Sequence, residues 1–94
     1  MDIPVACTLD AGALADRRTE WAALRAFRTE ERRTATTLIT TWRRAEGVQA
    51  ELERLVAAER ECCPFLGLEL TIRDDFLTLV TSFPQGLSPN DWEW

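Results

Sequence analysis

Residues 48–82 read VQAELERLVAAERECCPFLGLELTIRDDFLTLVTS, and a change of hydrophobic period inside this stretch decides the fold. Val48, Leu52, Leu55 and Val56 recur at three- and four-residue spacing, which is the apolar stripe of a helix. Gly47 punctuates the chain before it, and Pro64 disfavours helical geometry at Cys63, so the helix runs over about 48–62. Beyond the proline the period falls to two. Residues 66–72 and 76–82 alternate around the polar turn Arg73, Asp74 and Asp75, which predicts a β-hairpin.

Working outward, residues 34–42 are rich in Thr, Ile and Trp and favour a pleated surface, so a strand is expected there. Residues 28–33 are almost entirely charged and read as a connector. Before them, Asp10 is a plausible N-cap for a helix over 11–27 whose apolar side carries Leu14, Trp21, Leu24 and Phe27. Ile3, Val5 and Cys7 alternate, which predicts a short first strand over 3–8 with Pro4 at its start or on a sheet edge. After residue 82, Pro84, Gly86 and Pro89 interrupt any regular period. Residues 84–94 are therefore an irregular tail, whose Trp92 and Trp94 either pack on the domain or meet a partner. The expected order is β-α-β-α-β-β. The economical packing is an α+β two-layer sandwich, one domain over 1–94, with a four-stranded sheet and both helices on one face.

Composition narrows the function. A chain of 94 residues suits one small domain, and 46% hydrophobic residues is ordinary for a folded one. A net charge of −5 argues against a duplex nucleic-acid binder, which needs a basic face to displace counterions from phosphates. Arg25, Arg28, Arg32 and Arg33 form a local basic run, but Glu30 and Glu31 dilute it, and the run reads as a solvated face. The N-terminus lacks the basic start and apolar run of a secretory signal, and nothing approaches a membrane span. A cytoplasmic location is expected, where thiols stay reduced. Three cysteines, an odd count, also fit poorly with a disulfide framework.

The chain has no histidine, lysine or tyrosine, so most common catalytic devices cannot be built. Thiol chemistry remains. Cys62 and Cys63 adjoin at the helix end, and Glu59 lies three and four residues upstream, one turn below both. Glu59 also interrupts the apolar stripe, where a carboxylate costs free energy unless it is paired or protonated. Cys7 shares strand parity with Ile3 and Val5. If the first strand lies beneath the helix end, three sulfurs converge beside Glu59. Taken alone, Cys7 reads as a small core hydrophobe. Two or three thiolates suit soft metals such as Hg(II), As(III) or Cu(I), and Zn(II) would want a fourth ligand from Glu59 or water. Thiolates also call for nearby positive charge, for which Arg17 and Arg60 are the sources.

These residues carry a resemblance. Val5 to Leu9, Arg17 with Glu20 and Trp21, and Ala57 to Glu59 with Glu61 to Phe65 look like a small bacterial cysteine-rich family bearing the motif CCPF. Segments of that family occur with MerR-type metal-sensing regulators and near mercury-resistance genes. The resemblance implies a soft-metal or thiol role with Cys7, Cys62, Cys63 and Glu59 as the matching positions. Residues 34–42 depart from it in lacking an Asp-Gly-Gly turn and following arginine, and the terminal Trp92, Glu93 and Trp94 depart as well.

Three functions remain open. The first is a metal-binding protein using Cys7, Cys62 and Cys63 with Glu59 adjacent. The second is an enzyme using the same groups on a small-molecule substrate. It would either cleave a carbon–mercury bond, with protonated Glu59 as proton donor, or carry out copper chemistry on an organic substrate. The third is an adaptor domain whose terminal tryptophans meet a partner. A sheet edge or the tail could support a homodimer.

Overall fold

The structure is a computed structural model that describes residues 11–94, with side chains from residue 15. The described chain runs α1 (Ala11–Leu24), β1 (Arg28–Arg33), β2 (Thr37–Arg43), α2 (Val48–Cys62), β3 (Gly67–Ile72) and β4 (Phe76–Ser82). A 3-10 turn at Arg25–Phe27 closes α1, and another lies in the tail at Pro89–Asp91. The α+β class holds. So do the second helix at 48–62 and the closing hairpin. The expected first strand over 3–8 and the Asp10 cap lie outside the described residues.

One element departs from the sequence expectation. The charged segment expected to be a connector is β1, at an edge of the sheet among the described residues. Among the described residues, four strands form one antiparallel sheet in the order β1-β2-β4-β3. Charge does not prevent a strand at a sheet edge, where charged side chains discourage further pairing. The β1–β2 connection also folds without the glycine turn: the Thr34 hydroxyl accepts from the backbone N–H of Thr36 at 3.2 Å and of Thr37 at 2.9 Å.

Register assigns the two faces. Leu38 pairs with Thr81, Thr40 with Leu79 and Trp42 with Leu77, and all six are buried. Trp21 of α1 and Leu52, Leu55 and Val56 of α2 join them in one hydrophobic cluster. Both helices therefore cover the same face. On the edge strand, Arg28, Glu31 and Arg33 stand opposite Trp42, Thr40 and Leu38 and so belong to this covered face. Glu30 and Arg32 fall on the other. Gly47, at φ 81°, starts α2 in a left-handed conformation that other residues rarely adopt. Among the described residues no helix is long and apolar enough to cross a membrane.

The tail belongs to the covering layer. Trp92 and Trp94 are each only 4% exposed, so packing wins over presentation to a partner. The ring of Trp94 lies 4.3 Å from that of Trp21 and 5.4 Å from that of Trp92, and Phe83 meets Trp92 edge-on. The basic run reads differently in this light. Arg33 donates to the carbonyls of Pro89 at 3.1 Å and Trp92 at 2.8 Å, and Arg25 donates to Trp94 O at 2.8 Å. Only Arg32, paired with Glu30, fits the solvated face expected of the whole run. Arg33→Ala is expected to cost about 1–2 kcal/mol, since it removes two charge-assisted bonds at a part-buried site. A fall of several degrees in melting temperature checks this.

Candidate metal centre

The site is built by the last turn of α2. Pro64 ends the helix where the sequence predicts: Cys63 leaves helical geometry at φ −124° and ψ 67°, and its N–H donates to Glu59 O at 2.6 Å. This break lets two adjacent cysteines, which would diverge on an unbroken helix, turn toward a common point. The ligand atoms of Glu59, Cys62 and Cys63 all lie within 4.8 Å of one another. Two metal–sulfur bonds of about 2.3 Å span nearly that distance. All three residues are buried, at 5%, 4% and 1% exposure.

The carboxylate at the inward position is paired. Trp21 Nε1 donates to Glu59 Oε2 at 2.7 Å. Arg17 faces Oε1 at 3.3 Å as an ion pair, without the alignment of a hydrogen bond. The Cys63 thiol reaches toward the same oxygen at 4.0 Å. Arg17 is thus beside the thiol, as the sequence suggests. Arg60, the other suggested source of charge, instead donates to Leu68 O. Trp21, which reads from sequence as a core residue, is also the hydrogen-bond partner of Glu59. Its spacing on α1 marks it as inward, but nothing local could name a partner 38 residues away.

Burial pushes the Cys63 thiol up to about 11, the Glu59 charge adds to the rise, and Arg17 opposes it. At neutral pH roughly one molecule in 10⁴ then carries the thiolate. Alkylation of folded protein is expected to accelerate about tenfold per pH unit beyond pH 9, levelling near 11, with the inflection returning to about 9 in denaturant. Iodoacetamide kinetics across pH 7–12 check this, and an inflection near 8.5 in the folded state contradicts it. A thiol that holds its proton more tightly when folded contributes below its unfolded value of 9.0, and that contribution is lost as pH rises toward about 11.

The redox state differs from the expectation of three reduced thiols. Cys63 is the free cysteine among the described residues, while Cys62 is disulfide-bonded. The odd count excludes a complete framework and not a single bridge. Cys7, the other cysteine of the sequence, lies outside the described residues, and so does its expected role as a ligand. No family model, no curated protein and no solved structure matches the chain. The site's chemistry therefore rests on its own geometry.

Proposed function

We propose that the protein captures a thiophilic metal ion between Cys62 and Cys63, with Glu59 beside them and Cys7 as a third sulfur. The observation that carries this is the buried convergence of Glu59, Cys62 and Cys63 within 4.8 Å. Soft ions such as Hg(II), Cu(I) or As(III) suit such a donor set, and Zn(II) would use Glu59 or water to complete four ligands. Cys7 is included because the sequence holds one cysteine besides Cys62 and Cys63. The disulfide at Cys62 makes capture depend on prior reduction by a thiol or phosphine. The resemblance carried by residues 57–65 adds the same expectation.

Binding is favoured over catalysis because both Glu59 oxygens face donors, Trp21 on one and Arg17 on the other. That arrangement suits an acceptor more than a proton donor. The test is anaerobic, reduced protein analysed by elemental mass spectrometry and titrated with Hg(II), Cu(I), Zn(II) and arsenite. Roughly 1:1 binding that a chelator reverses is expected. Reduced protein that ignores all four ions ends the proposal.

A further inference from the structure

We propose that Trp21 and Trp94 are positioning residues of the metal centre, Trp94 reaching it from the tail. This rests on the soft-metal reading above. Trp94 is fixed at two independent points: its indole N–H donates to Thr81 Oγ1 of β4 at 2.9 Å, and its carbonyl accepts from Arg25 Nε at 2.8 Å. Its ring lies 4.3 Å from that of Trp21, which also lies 6.2 Å from the ring of Trp42. Packed against these rings, Trp21 aims its N–H at Glu59 Oε2. With Oε2 engaged, Oε1 is the oxygen left toward Cys63 Sγ.

The alignment matters because Arg17 does not supply it. Its guanidinium faces Oε1 without a directed bond, so it does not set the orientation of the carboxylate. The indole N–H is short, directed and buried, and it sets the orientation. Groups that orient a metal-site residue from behind commonly change metal affinity 10- to 100-fold when removed. The tail offers its own control. Trp92 is as buried as Trp94, but among the described residues its indole N–H has no partner and its ring contacts are with Phe83 and Trp94. Trp92 supports the layer without holding Trp21.

The experiment is a chelator-competition titration of Hg(II) into reduced protein, read by the ultraviolet thiolate-to-metal band, with a thermal melt of each metal-free variant. Trp21→Phe keeps a ring and removes the donor, and is expected to weaken binding about tenfold or more. Trp94→Phe is expected to weaken it severalfold, while Trp92→Phe lowers the melting temperature and leaves affinity within twofold. If Trp21→Phe does not fold, Thr81→Val, which removes only the acceptor for Trp94, is expected to lose affinity in the same direction. Unchanged affinity in the folded Trp21 or Thr81 variant overturns the inference, as does an equal loss in Trp92→Phe. Wild-type protein that binds no Hg(II) defeats the soft-metal reading itself and this inference with it, an outcome distinct from a variant matching a binding wild type.

Discussion

Cys63→Ser is expected to weaken soft-metal capture by about two to three orders of magnitude. Structural zinc in four-ligand peptide sites contributes roughly 10–16 kcal/mol, so each ligand accounts for about 3–4 kcal/mol, or 10²–10³ in affinity. Serine keeps the size and removes the polarisable sulfur, and its hydroxyl is a poor ligand for a soft ion. Cys63 is a cleaner probe than Cys62. It is a free thiol, whereas Cys62 must first be released from a disulfide, so incomplete reduction would blur its contribution. The raised thiol value at Cys63 adds a second signature. Binding must displace that proton, so wild-type affinity climbs with pH through the neutral range. The serine variant loses the part of this slope that belongs to Cys63. Competition titrations at several pH values measure both effects. An affinity within threefold of wild type would remove Cys63 from the site.

The two halves of this site differ in how far the sequence discloses them. Glu59 is legible because it breaks a stripe set by Leu52, Leu55 and Val56, and Pro64 announces where the helix must stop. Both are local signals. The hairpin over β3 and β4 is legible for the same reason, since alternation needs no distant partner to be read. The strand at Arg28–Arg33 is not. An edge strand takes its conformation from the neighbour it pairs with, and its charged residues carry no apolar period to read. The tail is illegible in a different way. Trp92 and Trp94 are apolar enough to pack, but what covers them is decided by Arg25 and Arg33, whose guanidinium groups catch tail carbonyls more than 50 residues away. A separation of 38 residues likewise hides the bond from Trp21 to Glu59. Local period predicts which way a side chain faces, and only the assembled sheet decides whom it meets.

Glu59→Leu is expected to destabilise the fold by about 3 kcal/mol, although it restores an unbroken apolar stripe to α2. The gain in apolar burial is offset because the change strands two donors. Removing one partner of a buried ion pair commonly costs 3–5 kcal/mol, since the other charge stays behind uncompensated. Here Arg17 keeps 16% of its side chain exposed against 6% for Glu59. It can extend partly toward water, which puts the cost at the low end of that range. The buried indole N–H of Trp21 contributes a further penalty of about 1–3 kcal/mol, and the added leucine surface recovers a similar amount. For a domain of this size the melting temperature is expected to fall by roughly 12–24 °C. The double variant Arg17→Met with Glu59→Leu removes the stranded charge and is expected to recover most of the loss, since the leucine surface offsets the indole penalty. Thermal melts of both metal-free variants decide the matter. Equal losses in the single and the double variant would mean that Arg17 is not neutralising Glu59, and that the carboxylate is held at the centre by Trp21 alone.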